Sequence, residues 1–406
     1  MFSIHTCPLA SQEGKETGGM NVYVFELARK LVGLGYVVDI FTRYQSHKDP
    51  KIATVIPGLR VIHLKAGPEK SIPKKLVINH LDEFTQSFLS FIKVEQKTYN
   101  LLHAHYYLSG IVCQRVKAEK LPNIPLVVTF HTLALMKNLV ARDELEKEEK
   151  ERIDAELSLV RKADIIIAPS KTDSKYLQYL YDCSPLKISV ITPGVNTSLF
   201  KPIDKNAAKK YIHADLDHKL ILFVGRIEPL KAIDVLLYAM KILSKQNPSL
   251  TTCLWIVGGD VTQKKHLWSK ELQKLEKLRI LLNITTAVTF VGQKPQRKLP
   301  YYYNAAQLVI MPSHYESFGM AALEAMACGT PVITTNVSGI ESIIDEDRKT
   351  LITSSNNPLL LAKKMAFLLT NKTEYEKISQ NVQETAQNLD WENTAKKVSS
   401  IYKKLL

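Results

Sequence analysis

Short apolar runs alternate with longer segments of helical periodicity along most of the chain. The runs are rich in Val, Ile and Leu and rarely alternate with polar residues, which is typical of strands buried on both faces of a parallel sheet. In the segments between them, apolar residues recur three and four positions apart, which predicts helices. The predicted strands are 2–6, 37–42, 59–64, 101–105, 125–130, 164–170, 188–192, 220–225, 254–259, 288–292, 308–312 and 331–335.

The strand–helix pattern restarts after the segment PGVN at 193–196. It predicts two doubly wound α/β domains, and a chain of 406 residues is longer than one core usually supports. We assign 1–195 to the first domain and 196–387 to the second, and we expect a last helix within 388–406 to pack back on the first domain. Because ligands bind at the carboxyl ends of the strands in such domains, function is expected in the loops that follow strands.

Composition narrows the class of protein. A hydrophobic content of 45%, a charged content of 23% and a net charge of +14 describe a basic globular protein. The charge suits anionic small ligands or an anionic membrane surface, and no nucleic-acid motif accompanies it, so no nucleic-acid partner is expected. The five cysteines are isolated, which argues against a zinc site and for a reducing compartment. We expect a cytoplasmic protein and leave peripheral membrane contact and a homodimer open.

Glycines precede the first predicted helix in the long loop HTCPLASQEGKETGGMNVYV. Gly18 and Gly19 would let the backbone approach a ligand, and the helix N-terminus offers free N–H groups to an anion. A flexible loop explains the same pair of glycines.

Two cations follow the first strand of the second domain, in the segment GRIEPLKA. Arg226 and Lys231 suit a diphosphate, whose charge must be stabilised as it departs. Two solvated surface charges are the alternative.

Two acids stand eight residues apart in the segment MPSHYESFGMAALEAMACGTPVIT at 311–334. Gly319 opens a predicted helix whose free N–H groups can meet a phosphate. Glu316, just before it, can accept hydrogen bonds from sugar hydroxyls, and Glu324 on the helix is positioned for a ribose diol. Compensation of the helix dipole by one acid, with the other solvated, is the alternative.

The pair Glu316 and Glu324 with SFGMAALEAMACGTPVI, together with VGRIEPLKA and PGVN, resembles the retaining glycosyltransferases of family 4, and the resemblance covers nearly the whole chain. The resemblance implies the GT-B fold, in which two Rossmann-like domains face each other across a cleft. It implies that the first acid contacts the donor sugar, the second the nucleotide ribose, and the two cations the diphosphate. The implied donor-binding residues of the second domain are Arg226, Lys231, Glu316, Phe318, Gly319, Met320 and Glu324.

The N-terminal half resembles two branches of this family. HTCPL, GGMNVYV, HAHYYLSG and TFHTLALMKN are similar to the enzymes that make the first mycothiol precursor, and AGPEKSIPKKL to these and to sucrose-phosphate synthases. The similarity implies that His5, Gly19 and His131 lie near the donor sugar and that Asn21 contacts the acceptor ring. The implied residues for an acceptor phosphate are Tyr106, Thr132, Lys137, Arg152 and a lysine of the 70–75 segment, for which we favour Lys70.

Two of these residues could instead have an ordinary structural role. Arg152 stands in a charged helical segment, where a solvated ion pair is common, and Tyr106 could be a core aromatic. The implied catalytic residues are His131, Arg226, Lys231 and Glu316.

The resemblance implies a retaining hexosyltransferase that uses a nucleotide sugar, either UDP-glucose or UDP-N-acetylglucosamine. The acceptor would be a phosphorylated small molecule such as inositol 3-phosphate or fructose 6-phosphate. The sequence has no Asp-x-Asp metal motif, so we expect no metal ligands and no required cofactor, although Mg²⁺ is compatible with the site. A family member that acts on a lipid or glycan acceptor for envelope polysaccharide, and a nucleotide-sugar-binding regulatory protein without turnover, are the alternatives.

Overall fold

The computed structural model of the protein describes residues 1–10, 18–336, 339–340, 351–353 and 357–406. They form two mainly parallel sheets covered by helices, one from each half of the chain. The first half contains β1 (Val38–Arg43), β2 (Ile52–Ile56), β3 (Leu59–Leu64), β4 (Leu102–His105), β5 (Leu126–Thr129), β6 (Ile165–Ala168) and β7 (Ile188–Val190), with α1 (Gly19–Gly33), α2 (Leu81–Val94), α3 (Tyr107–Glu119), α4 (Ala134–Val140), α5 (Lys150–Lys162) and α6 (Lys171–Tyr181).

The second half has the same layered organisation, and one further helix follows it. Its strands are β8 (Lys219–Val224), β9 (Thr252–Val257), β10 (Val288–Phe290), β11 (Leu308–Met311), β12 (Val332–Thr335) and β13 (Ile352–Thr353). Its helices are α7 (Lys205–Tyr211), α8 (Ile233–Gln246), α9 (Lys270–Leu281), α10 (Leu299–Ala305), α11 (Met320–Ala327), α12 (Pro358–Thr370), α13 (Lys372–Gln387) and the last helix, α14 (Trp391–Leu405).

The first predicted strand, 2–6, is shorter than expected. Its first residues run between β1 and β4, where Phe2 N donates to His103 O at 2.9 Å and Ser3 N donates to Phe41 O at 2.9 Å. The Ser3 hydroxyl then donates to Thr6 O at 2.8 Å, which turns the chain out of the sheet. The segment therefore joins the strand order β2–β3–β1 to the order β4–β5–β6–β7 but forms only an isolated bridge at Phe2.

Every other predicted strand corresponds to an observed one, and the apolar pattern missed two short edge strands. The strand β2 pairs antiparallel with β3, and β13 pairs with β12. The residues of β2 are half-buried or exposed, so they lack the continuous apolar run by which buried strands were found. Residues 11–17, in the glycine-rich loop before α1, lie outside the described part of the chain.

The sheet of the second half has the order β10–β9–β8–β11–β12–β13. Because β8 and β11 are parallel neighbours, the loops after their carboxyl ends lie side by side. The first loop carries the two predicted cations and the second carries Glu316. This crossover therefore brings together residues that are far apart in sequence, as expected at a switch point of a doubly wound sheet.

The last helix, α14, packs against α1 of the first half. Trp391, Val398 and Tyr402 share one buried cluster with Leu27 and Leu31 of α1. The N-terminal layer is therefore completed by the last residues of the chain. Within the described residues, no helix combines the length and apolar character needed to span a membrane.

The crossing between the two halves at Gly194 gives a stability prediction. Val195 N donates to Leu389 O at 2.8 Å, and a Cβ on Gly194 would lie 2.3 Å from Trp391 N. We expect Gly194→Ala to force this crossing apart and to lower the free energy of unfolding by about 1–3 kcal/mol. Thermal unfolding followed by circular dichroism measures the loss as a lower Tm.

The matched control is Gly33→Ala at the end of α1, where an added Cβ would meet nothing within 4 Å. Its Tm should stay constant or rise slightly, because Ala restricts the unfolded chain. Equal Tm values for the two variants would contradict the close approach at Gly194.

Candidate active site

A cavity of about 540 Å³ lies between the two domains and is lined by loops from both. Its size is in the range of sites for small molecules and cofactors. The lining comes mainly from the loops that follow β4, β5, β8, β9 and β11, together with the N-termini of α1 and α11. The carboxyl ends of strands from both sheets therefore meet here, as the doubly wound pattern predicts.

The N-termini of two helices face each other across this cavity. A Cβ on Gly19, the first residue of α1, would lie 3.2 Å from Met320 Cγ at the start of α11. The caps, Gly18 and Gly319, provide no side-chain hydrogen bond to the first turns. Gly319 has a φ of 99°, a conformation that favours glycine. First-turn N–H groups from both domains are therefore available to an anion between them.

The two predicted cations of the second domain line the same cavity, each beside a carboxylate. Arg226 Nη1 lies 2.9 Å from Glu228 Oε1. Lys231 Nζ forms an ion pair with the Glu316 carboxylate, and both side chains are mostly buried. The structure thus joins the cation predicted for the diphosphate to the acid predicted for the donor sugar. It excludes the alternative of a solvated Lys231.

Glu324 is buried at the cavity wall rather than solvated. Its side chain is on α11, and the Tyr303 hydroxyl donates to it at 2.8 Å. Burial raises the pKa of Glu324 to about 7, although hydrogen bonds from Tyr303 and Gln296 oppose the shift. Phe318, beside Gly319, packs in the core of the second domain and also lines the cavity.

On the first domain, His131 and Tyr106 follow adjacent strands and both have a positive φ, 64° and 75°. Such conformations are strained for bulky residues and cluster at functional sites. His131 Nε2 lies 3.1 Å from His105 Nδ1, and burial lowers the pKa of His131 to about 3, so its ring is neutral. Burial likewise lowers the pKa of His5, which lines the cavity.

Arg152 is 2% exposed and is not part of a solvated ion pair; it does not itself line the cavity but contacts Tyr106 and Thr132, which do. Its guanidinium lies 4.8 Å from the Tyr106 ring centroid. Its Nη2 donates to Thr132 O at 2.9 Å and to Thr132 Oγ1 at 3.1 Å. Glu156 and Glu148 contribute carboxylate oxygens at 2.7 and 2.8 Å. The structure therefore brings together the predicted Arg152, Tyr106 and Thr132.

Two lysines extend this basic cluster. Lys137 forms an ion pair with the same Glu148. Burial acts to raise the pKa of Glu148, but the positive charges of Arg152 and Lys137 outweigh it and lower the pKa to about 2. Lys74 lines the cavity with its Nζ 5.4 Å from the Tyr106 ring centroid. Lys70, the lysine we favoured from the sequence, is exposed and does not line the cavity, so the structure favours Lys74.

Asn21 lines the cavity, but its amide also braces the first loop. It accepts a hydrogen bond from Thr6 Oγ1 at 2.9 Å and donates one to Cys7 O at 3.0 Å.

The sequence patterns did not find Glu148 or His105 as partners of the cavity residues. Glu148 stands four residues before Arg152, a spacing that could have indicated their ion pair, whereas its contact with Lys137 and the His105–His131 contact join separate elements. Within the described residues, no group of three or more His, Cys, Asp or Glu side chains could hold a metal ion.

Two Rossmann-like domains that face each other across a cationic, acid-flanked cleft form a GT-B architecture, and solved glycosyltransferases superpose on it. Sucrose-phosphate synthase from Thermosynechococcus elongatus superposes with a TM-score of 0.89 at 30% identity, over 100% of this chain and 98% of that one. Anabaena HepE in complex with UDP-glucose superposes with a TM-score of 0.74 at 17% identity, over 97% and 98%, which shows the shared fold.

The family follows from sequence comparison. The model described as Glycosyltransferase Family 4 matches residues 17–199, and that described as Glycosyl transferases group 1 matches residues 204–385. The D-inositol 3-phosphate glycosyltransferase of Thermobispora bispora is 35% identical over 100% of this chain and 94% of its own length. The chain belongs to glycosyltransferase family 4, as its motifs predicted, and it is a hexosyltransferase.

The raised pKa of Glu324 makes stability depend on pH in a defined direction. Its carboxyl ionises near 4.5 when unfolded and near 7 when folded, so its contribution to the free energy of unfolding falls as pH rises between those values. Glu324→Gln cannot ionise, and its amide oxygen can still accept the Tyr303 hydroxyl. Relative to wild type, the variant should gain on the order of 1–3 kcal/mol between about pH 5 and pH 8.

Thermal unfolding of both proteins across this pH range tests the prediction. The matched control is Glu384→Gln on the exposed face of α13, for which the difference from wild type should not change with pH. A pH-independent difference for Glu324→Gln would contradict the buried, protonated state of Glu324 at mildly acidic pH.

Proposed function

We propose that the protein transfers a hexose, with retention, from a uridine nucleotide sugar to a phosphorylated small acceptor such as inositol 3-phosphate or fructose 6-phosphate. The observation that carries the proposal is the buried basic cluster around Tyr106 on the first-domain side of the cavity. Arg152, Lys74 and Lys137 supply cationic side chains there, and Thr132 a hydroxyl, to which phosphate oxygens bind well. Relatives named D-inositol 3-phosphate glycosyltransferase and sucrose-phosphate synthase support it.

On the donor side, Glu324 would accept hydrogen bonds from the ribose, and Glu316 from the sugar. The diphosphate would lie between the helix N-termini at Gly19 and Gly319, beside Arg226. In this proposal Arg226 and Lys231 supply the positive charge that stabilises the leaving diphosphate, so a divalent cation is not required. Neutral His131 and His5 line the first-domain wall and can donate or accept hydrogen bonds to the sugar without adding charge.

The transfer itself is a front-face substitution. The acceptor hydroxyl oxygen bonds to the anomeric carbon while the bond from that carbon to the diphosphate oxygen breaks. Because the acceptor attacks on the face from which the diphosphate leaves, the configuration is retained. The proton of the acceptor hydroxyl passes to the departing diphosphate oxygen, so no separate general base is needed. The protein contributes orientation and stabilisation of the developing negative charge.

Glu148 would affect how an acceptor phosphate binds to the basic cluster. Its carboxylate bridges Arg152 and Lys137 and so balances part of their positive charge. An acceptor phosphate would replace this carboxylate on one or both cations. A dianion competes for these cations better than a neutral hydroxyl, which favours phosphorylated over unphosphorylated acceptors.

Release of the nucleoside diphosphate on a grid of substrates tests the proposed function; the product is UDP from a UDP-sugar and GDP from GDP-mannose. The donors are UDP-glucose, UDP-N-acetylglucosamine and GDP-mannose. The acceptors are inositol 3-phosphate, fructose 6-phosphate, their unphosphorylated forms and none. We expect release that requires a phosphorylated acceptor. Slow release that is indifferent to every acceptor would contradict the phosphate pocket and direct the search to lipid and glycan acceptors.

Arg152→Ala tests the acceptor side alone. The variant should raise KM for the phosphorylated acceptor by on the order of 10–10²-fold, because a charged hydrogen bond to the phosphate is worth about 1.5–3 kcal/mol. Hydrolysis of the donor without acceptor should continue, since Arg152 lies on the first-domain side of the cavity.

The matched control is Arg161→Ala, an exposed arginine on the same helix α5. It should leave the acceptor KM at the wild-type value. An unchanged acceptor KM in Arg152→Ala would remove Arg152 from the phosphate site.

A further inference from the structure

Tyr315 belongs to the second domain but packs in the first. It follows β11 in the segment that carries Glu316, yet its side chain is 1% exposed and lies in the hydrophobic core of the N-terminal domain. Its ring lies near Tyr176 of α6, with centroids 6.4 Å apart. The segment beside Glu316 is therefore inserted into the opposite domain.

Polar contacts hold this inserted segment at Asp173, in the first turn of α6. The Tyr315 hydroxyl donates to Asp173 Oδ1 at 3.3 Å and lies 3.4 Å from Leu133 N, which donates to it. The Ser317 hydroxyl donates to Asp173 Oδ2. The residues on both sides of Glu316 thus bind one carboxylate of the first domain.

The carboxylate is an unusual group for this position. Asp173 is 3% exposed, and within the described part of the chain it forms no ion pair with a Lys or Arg. Burial raises its pKa to about 7, which the two hydroxyl donors only partly offset. A buried carboxylate without a cation destabilises the fold unless its hydrogen bonds are satisfied. Here its side-chain donors come from the other domain.

We infer that Asp173 is a positioning residue: it anchors Tyr315 and Ser317 of the second domain to the first, and so holds Glu316 against Lys231 when the domains meet. Assembly of the donor-sugar side of the site is thereby coupled to contact between the domains. The inference rests on the proposed role of Glu316 at the donor sugar, and it does not depend on which acceptor the enzyme uses.

The geometry explains why the coupling is local. Ser317 and Tyr315 flank Glu316 directly, so loss of either hydrogen bond loosens the hold of the first domain on the backbone that carries the Glu316 side chain. A displacement of about 1 Å at a reacting group costs on the order of 10²-fold in rate. The nucleotide contacts expected of Glu324 and Arg226 arise from the second domain alone and do not pass through Asp173.

Kinetics of full-length Asp173→Ala, Ser317→Ala and Tyr315→Phe test the inference. We expect kcat for UDP release from the UDP-sugar, with or without acceptor, to fall on the order of 10²-fold in Asp173→Ala. The Kd for UDP, measured by calorimetry, should stay close to wild type. The double variant with Ser317→Ala should lose no more than Asp173→Ala alone, because both changes remove one contact. Asp173→Asn, which retains an acceptor oxygen, should recover part of the rate.

The matched control is Arg142→Ala, which breaks another contact between the domains, the pair Arg142 Nη1 to Asp234 Oδ2 at 3.0 Å. It should leave kcat unchanged, since it does not touch the Glu316 segment. Wild-type kcat in Asp173→Ala and in Ser317→Ala would overturn the inference. So would loss of UDP affinity and kcat together, or additive losses in the double variant, because these indicate general destabilisation.

Glu316→Ala separates this inference from the proposed function. If Glu316→Ala leaves kcat unchanged, the proposed role of Glu316 fails. If Glu316→Ala lowers kcat and Asp173→Ala does not, only the anchoring by Asp173 fails. If turnover by the wild type does not depend on a phosphorylated acceptor, the acceptor assignment fails. The test of Asp173 stays intact, because that test measures turnover of the donor.

Discussion

Arg152 keeps its charge while almost fully buried, because the carboxylates of Glu148 and Glu156 lie within ion-pair distance of it. The same requirement recurs around the cleft. Lys231, which is mostly buried, pairs with Glu316. A cation removed from water is stable only beside an anion or strong acceptors, so a cleft built for anionic ligands has to carry its own carboxylates. The acids of this site therefore balance its cations, in addition to the substrate contacts proposed for them.

Strained backbone at the ends of neighbouring strands is the second element of the site. Tyr106 after β4 and His131 after β5 have positive φ, although neither is glycine. His131 contacts His105 and Tyr23, and Tyr106 packs against His5 and Arg152, so neighbours within the first domain surround both strained residues. The surrounding structure compensates the cost of such strain.

Contacts between the halves of the chain then decide how the site is completed. Helix α14 returns to α1 and closes the N-terminal layer with Trp391 and Tyr402. Tyr315 inserts in the reverse direction, from the second domain into the first. The two halves are thus interlocked by two separate contacts. A glycosyltransferase of this fold can use such contacts to couple domain closure to the arrangement of catalytic side chains.

The sequence by itself determined the architecture and placed the candidate site in the loops that follow the strands. Apolar runs marked every long buried strand, and motif spacing identified Arg226, Lys231, Glu316 and Glu324, because both signals are local and the loops after parallel strands share one edge of a sheet. It missed β2 because a half-exposed edge strand lacks the apolar run.

Only the tertiary structure decided which charges pair and which side chains are buried. It favoured Lys74 over Lys70, since the choice depends on which lysine of one short segment faces the cavity. It also placed Asp173 beneath Glu316, although 144 residues separate Asp173 from Ser317 along the chain. The physical reason is that pairing and burial depend on distances between elements, which local periodicity does not encode.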